Sequence, residues 1–233
     1  MARLCYCSEV LPKKSGAIRA HWDNKNEDEA AEIDFWNRLH MSGFECWLQP
    51  GEKRDYMIHC LEGDAPTEIF AGLRQLIRED HPVALKLQRY YRDVLGVDYA
   101  EAGAAPQVER VLDLEITDAP CVAKRGFVYP LLPAKVEEHR RFSSESNGSK
   151  RVRHEASLSA WGVRRLTKWI QKRGEEHLLV MYVEYDRAPA LSSVERLRVN
   201  HSSAEWLEIA DTLSDHTGLT HDQLSPDVEW LTA

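Results

Sequence analysis

The chain has 233 residues, of which 43% are hydrophobic and 29% charged, and its formal net charge at pH 7 is −8. This composition is sufficient for a packed core, and the acidic balance argues against a general nucleic-acid-binding protein, which needs excess Lys and Arg facing phosphates. The longest strongly apolar run, Leu178 to Val183, is too short to cross a bilayer, and the N-terminus has no apolar signal stretch. We therefore expect a cytoplasmic protein that binds neither nucleic acid nor membrane.

The first half of the chain predicts the element order strand, helix, strand, strand, helix, strand. Apolar or alternating stretches indicate strands at 4–10, 44–49, 56–62 and 108–116, with a polar hairpin turn at 50–54. A long helix is expected at 17–41, closed by Gly43. A second helix opens with the cap at 64–67, and a further helix runs over 82–95 to Gly96.

The second half predicts the same order. Strands are expected at 126–132, 163–171, 178–184 and 228–232, with a hairpin turn at 172–175. A long helix at 135–161 should be kinked at 147–148 and ended by Gly162, and helices follow at 189–197 and 203–217. Residues 117–125 form the linker between the two halves.

Short landmarks recur in unchanged order at a nearly constant offset of about 120 residues, which indicates an internal duplication. The matched segments are 11–14 with 132–135, 47–49 with 169–171, 61–64 with 183–186, and 106–109 with 226–229. We therefore predict two domains, residues 1–118 and residues 119–233.

The element order of each half is that of the ferredoxin-like split βαβ motif. Each half resembles a small ferredoxin-like family in its Leu-Pro-x-Lys entry to the first helix, its Trp-aliphatic-Gln strand, and Gly43 or Gly162. Two fused copies resemble the dimeric α/β-barrel superfamily. The resemblance implies an α+β fold in which two antiparallel sheets pack face to face as a pseudo-symmetric barrel, with the helices outside.

Strand alternation separates two faces of each predicted sheet. The residues Phe44, Cys46, Leu48, Leu166 and Ile170 should face the helices, as should His59. The opposite faces should carry the candidate site, with Trp47, Gln49, Trp169, Gln171 and Tyr182 as ligand-binding residues and Glu62 and Glu184 as general bases. A Trp ring can stack on a planar ligand while amide and carboxylate groups orient it, and a buried Glu can act as a base.

These residues favour a protein that binds a small molecule between the sheets. An aromatic or polycyclic metabolite fits the site, and cofactor-independent oxygenation or cyclisation is one hypothesis for its chemistry. The alternative is a non-catalytic scaffold or partner-binding module, in which Trp47 and Trp169 only pack the sheets together. The superfamily contains both kinds of protein, so the sequence leaves open whether the chain is an enzyme. We expect a monomer, as an internal pseudo-dimer, or a weak homo-oligomer.

The cysteines and histidines predict no cofactor. Five cysteines in a cytoplasmic chain argue against a disulfide framework, and Cys5 and Cys7 on one strand supply too few ligands for a metal site. We therefore expect neither a disulfide nor a metal at these two residues. Haem would need one His directed into a cavity, and the sequence does not single one out.

Overall fold

The computed structural model describes residues 2–23, 29–187, 204–224 and 228–231. Within these residues the chain forms eight strands and seven α-helices. They are β1 (Ala2–Glu9), α1 (Ser15–Asp23), α2 (Glu29–Arg38), β2 (Met41–Gln49), β3 (Tyr56–Gly63), α3 (Ile69–Arg78), α4 (Pro82–Leu95), β4 (Gln107–Glu115), β5 (Ala123–Leu131), α5 (Val136–Asn147), α6 (Arg151–Ala160), β6 (Val163–Arg173), β7 (Glu176–Tyr185), α7 (Ala204–Thr217) and β8 (Glu229–Trp230). The predicted helix at 189–197 lies outside the described residues.

The strands form two antiparallel sheets, which confirms the α+β class. One sheet has the order β1-β3-β2-β8, and the other has the order β4-β6-β7-β5. The chain accordingly divides into unit 1, residues 1–106 with 229–233, and unit 2, residues 107–228. Duplication of the halves, the domain boundary at 118/119 and the face-to-face packing of the sheets stay predictions.

The fourth strand of each sheet comes from the other half of the chain, which the sequence did not predict. β8 pairs with β2 through Trp47 and Leu48, and β4 pairs with β6 along its whole length. β2 and β6 would otherwise be edge strands with unpaired backbone groups. β4 covers the open edge of β6, whereas β8 covers the edge of β2 only near Trp47 and Leu48. The compact units therefore have boundaries that differ from those of the sequence repeats.

The helices cover one face of each sheet, as alternation predicts. In unit 1, Phe44 stacks on Trp36 of α2, and His59 lies edge-on to Tyr91 of α4. In unit 2, Leu166 and Ile170 belong to the buried apolar cluster that also contains residues of α5, α6 and α7. The predicted helix-facing position of His59 is therefore confirmed.

The helix ends predicted at glycines are correct in two places and wrong in one. Gly96 (φ 66°) and Gly162 (φ 72°) adopt the left-handed conformation just after α4 and α6, as predicted. The predicted role of Gly43 is wrong, because α2 ends at Arg38, His40 takes the left-handed conformation (φ 53°), and Gly43 lies inside β2. The helix predicted at 17–41 corresponds to α1 and α2, and residues 24–28 between them lie outside the described residues. The kink predicted at 147–148 is confirmed as a break between α5 and α6.

The prediction of no disulfide at Cys5 is wrong. Cys5 on β1 lies directly opposite Cys60 on β3, and the two sulfur atoms form a disulfide. The alternation of side chains along β1 cannot reveal this pair. The pairing of Cys5 with Cys60 depends on the register between two strands that are far apart in sequence. Cys7, Cys46 and Cys121 take no part in a disulfide among the described residues.

Candidate functional site

The sequence-predicted site residues lie on the sheet faces that point away from the helices. Trp47 and Trp169 are each 1% exposed, and Gln49, Gln171, Tyr182 and Glu184 are also buried, whereas Glu62 is half-buried. Three of the seven belong to unit 1 and four to unit 2. Their assignment as ligand-binding and catalytic residues stays a prediction.

Within each unit the tryptophan and the glutamate lie far apart along the sheet. Trp47 pairs with Ile58 and Trp169 pairs with Val180, and each partner precedes the glutamate of its strand by four residues. Four residues of strand span about 13 Å. One small ring therefore cannot contact the tryptophan and the glutamate of the same unit together.

Each predicted base is held by an arginine. Glu62 accepts a hydrogen bond from Arg3 at 3.2 Å. Glu184 forms a close ion pair with Arg164 and also accepts a hydrogen bond from the Tyr182 hydroxyl at 3.2 Å. Both carboxylates therefore have arginine partners in the structure, and Glu184 has the tyrosine hydroxyl as a further partner.

Unit 1 contains an apolar recess that sequence reasoning missed. Two adjoining recesses of about 340 and 430 Å³, their open mouths included, lie among β2, α2 and α4. Both are lined by Phe35, Trp36, Phe44, Leu87 and Tyr91. The sequence signal was the aromatic pairs at 35–36 and 90–91, which helical periodicity alone assigns to the core.

The inner part of the recess is aromatic and uncharged. Tyr6, Phe70 and Tyr99 line it, and burial raises the pKa values of Tyr6 and Tyr91 well above 10, so these hydroxyls stay protonated. His59 stacks on Tyr6 with ring centroids 4.6 Å apart. Burial lowers the pKa of His59 to about 3, so its imidazole is neutral.

Polar groups lie at the outer part of the recess. His21, Glu32 and Lys86 contribute to the wider of the two recesses, and none of them is fully buried. The Trp36 and Phe44 rings are also half-buried, and they stack with centroids 5.6 Å apart. This arrangement places an apolar interior beneath a mouth that offers both signs of charge.

We expect His59 to make the protein sensitive to acid. The unfolded histidine has a pKa near 6.5 and the folded one about 3. The unfolded state therefore binds the proton first, and stability present above pH 6.5 is lost as the pH falls toward 3, at about 1.4 kcal/mol per pH unit. Urea unfolding of wild type and of His59→Phe at pH 7 and pH 5 measures the effect. Between pH 7 and pH 5 the free energy of unfolding of the wild type should fall by about 2 kcal/mol more than that of the variant. Equal decreases would contradict a neutral, buried His59.

Comparisons with known proteins add little to this geometry. No family model and no curated protein matches the chain. The chain is similar to the crystal structure of a "putative monooxygenase" from Fusobacterium nucleatum subsp. nucleatum, with 11% identity, a TM-score of 0.42 and coverage of 98% of this chain and 88% of that one. At this level of similarity, only the residues of the chain itself indicate its function. None of the helices in the described part of the chain is long and apolar enough to span a membrane.

Proposed function

We propose that the protein binds a small, mostly apolar aromatic molecule in the recess of unit 1. The observation that carries this proposal is the half-buried stacked pair of Trp36 and Phe44 above an aromatic interior. Binding pockets are mostly apolar, with a few polar groups that fix orientation. Here Glu32, Lys86 and His21 can orient a polar substituent while the rings hold the apolar body.

The volume of the recess limits the ligand. The wider recess reaches about 430 Å³ only when the open solvent at its mouth is counted, so its enclosed space is much smaller than a pocket for a drug-sized molecule. The ligand is therefore at most one or two fused rings and lies partly in the open mouth. Its inner portion should be uncharged, because the buried Tyr6, Tyr91 and His59 offer no charge to pair with an ion.

Titration with quinoline, 2-naphthol and 1-naphthylamine, followed by calorimetry and thermal shift, tests the proposal. At least one of these probes should bind wild type and raise its melting temperature. Trp36→Ala should weaken that binding about tenfold or more, since it removes a stacking face. Trp161→Ala is the matched control, because Trp161 is also half-buried but lies in unit 2. Equal binding to Trp36→Ala and wild type would overturn the proposal, as would the failure of all three probes.

The chemistry that accompanies binding is a separate hypothesis. Cofactor-independent oxygenation or cyclisation is one hypothesis for this chemistry, and Glu62 and Glu184 are its candidate bases because strand alternation and burial single them out. Arg3 and Arg164 pair with these two glutamates, which supports a positioning or stabilising role for them. Our proposal is therefore confined to binding.

One observation favours the second candidate function, a non-catalytic scaffold. Trp47 and Trp169 are almost completely removed from solvent, as expected of residues that pack rather than bind. This observation concerns the sheet faces and leaves the recess of unit 1 unaffected. Partner binding without a small ligand would accordingly be supported if the aromatic probes fail.

A further inference from the structure

Unit 2 contains a cluster of buried polar residues between its helices and its sheet. The members come from α5, α6, α7 and β6, and each is at most 4% exposed: His139, Ser143, Ser146, His154, His216 and Lys168. They surround the ring of Phe142. The three imidazole centroids lie 5.5–6.2 Å from the Phe142 centroid, and Lys168 Nζ lies 5.5 Å from it. We call these six residues the lysine–histidine cluster.

Lys168 brings a positive charge into this cluster without a negative partner. Among the described residues, no carboxylate forms an ion pair with it, and burial alone lowers its pKa to about 8, so it is still largely protonated at pH 7. Lys150 makes the contrast clear. Its Nζ also lies 6.0 Å from the Phe142 ring, but it forms ion pairs with Glu145 and Glu208.

The hydrogen bonds of the cluster fix the proton on His154. Ser146 has one hydroxyl hydrogen, which it donates to the Phe142 carbonyl at 2.8 Å. The contact of 2.9 Å between Ser146 Oγ and His154 Nδ1 must then use a hydrogen on Nδ1. Because burial lowers the pKa of His154 and keeps the ring neutral, its Nε2 carries a lone pair.

His139 contacts His216 through their Nδ1 atoms, which lie 3.1 Å apart, so one ring donates to the other. His216 Nε2 lies 3.9 Å from a Glu138 oxygen, which is too far for a hydrogen bond that would fix the direction. Burial, reinforced by the charge of Lys168, holds the pKa of His139 far below its usual range, so this ring is also neutral.

Three buried atoms of the cluster lack a hydrogen-bond partner among the described residues. They are His139 Nε2, His154 Nε2 and Ser143 Oγ. Buried polar groups are almost always hydrogen-bonded, so an unpartnered set of this kind is satisfied by ordered water or by a bound polar molecule. The Nε2 lone pair of His154 requires a hydrogen-bond donor, whereas Lys168 requires an anion.

We propose that the lysine–histidine cluster of unit 2 binds a small hydroxycarboxylate. Its carboxylate pairs with the Lys168 ammonium group and accepts from the Ser143 hydroxyl, and its own hydroxyl donates to His154 Nε2. A simple anion would leave this imidazole lone pair without a donor. A simple alcohol would leave the ammonium group without a counter-charge. The cluster thus selects molecules that carry both groups.

Titration of wild type with glycolate, acetate and ethylene glycol tests this specificity. Glycolate carries both a carboxylate and a hydroxyl, acetate carries only the carboxylate, and ethylene glycol carries only hydroxyls. Glycolate should bind at millimolar concentration or below and raise the melting temperature. Acetate should bind at least fivefold more weakly, and ethylene glycol should not bind. Equal binding of glycolate and acetate, or no binding of glycolate, would overturn the proposal.

Two matched variants locate the site. Lys168→Met should reduce glycolate binding more than tenfold, whereas Lys150→Met should leave it unchanged, because Lys150 is already neutralised by two glutamates. Glycolate that binds Lys168→Met as tightly as wild type would refute the assignment. A third measurement needs no variant: the Nε2 resonance of His154 in 15N-labelled wild type should move with glycolate. An unchanged resonance at saturation would also refute it.

Discussion

Trp169→Ala is expected to lower the free energy of unfolding by about 3–5 kcal/mol, which is the range for truncation of a buried tryptophan. Trp169 is 1% exposed and lies in the interior of β6, paired with Arg110 on β4 and Val180 on β7. Truncation removes most of the contacts of the ring and leaves a cavity that rigid strands cannot fill. Denaturant unfolding followed by circular dichroism measures the loss.

Two further variants make this result specific. Trp169→Phe keeps an aromatic ring and should lose about half as much stability or less. Trp36→Ala should also lose less, because Trp36 is half-buried at the recess of unit 1. A loss below about 1 kcal/mol for Trp169→Ala would contradict a packing role. Such a result, together with weakened binding of an aromatic probe, would support the ligand-binding role that the sequence predicts.

Local patterns in the sequence were sufficient for most of the secondary structure and for the two faces of the sheets. Alternation with a period of two residues is a direct consequence of strand geometry, so it placed Phe44 and His59 correctly against the helices. Gly96 and Gly162 were recognisable as helix ends because glycine adopts the left-handed conformation without steric cost. His40 adopts the same left-handed conformation after α2, and no local pattern in the sequence distinguishes it from other histidines.

Pairing between distant segments could not be predicted in the same way. The addition of β8 to β2 and the disulfide between Cys5 and Cys60 both depend on strand register, which short landmarks do not encode. The recess of unit 1 likewise requires α2, α4 and β2 to be placed together. The tryptophans are conspicuous in the sequence itself, whereas the recess exists only where these three elements meet.

The helix-facing position of Lys168 follows from the alternation of side chains along β6. Leu166 and Ile170 face the helices, so the residue midway between them must also face the helices. The residues His139, Ser143 and Ser146 are spaced by four and three positions, which places them on one face of α5. The two observations together predict a buried polar cluster in unit 2. Its hydrogen-bond directions, however, depend on contacts with α6 and α7 that only the structure supplies.

Lys168→Met is expected to stabilise the ligand-free protein at pH 7 by about 2 kcal/mol. A fall in the lysine pKa from 10.5 to about 8 corresponds to a cost of about 3 kcal/mol for burying the charged form. The attraction between the ammonium group and the Phe142 ring, about 1 kcal/mol, is lost in the variant and offsets part of the gain. Met keeps the length of the side chain and needs no counter-charge.

The pH dependence of this gain identifies its cause. The folded pKa of Lys168 lies below the unfolded one, so between pH 8 and 10.5 the unfolded state binds more protons, and wild-type stability rises with pH. Below pH 8 the full free-energy cost of burying the charged lysine is present, and above pH 10.5 this cost disappears. The advantage of Lys168→Met should therefore vanish between these pH values. Urea unfolding of both proteins at pH 7 and pH 10.5 measures the difference, in which the titration of all other groups cancels.

The control is Lys150→Met, whose side chain is 34% exposed and already paired with Glu145 and Glu208. Its stability should change by less than about 1 kcal/mol at either pH, because exposed ion pairs contribute little. A Lys168→Met protein that is less stable than wild type at pH 7 would show that the ammonium group has a stabilising partner. Glycolate at saturation should raise the stability of wild type but not that of Lys168→Met. The gap between the two proteins should then narrow, because only wild type retains the buried charge that the carboxylate neutralises.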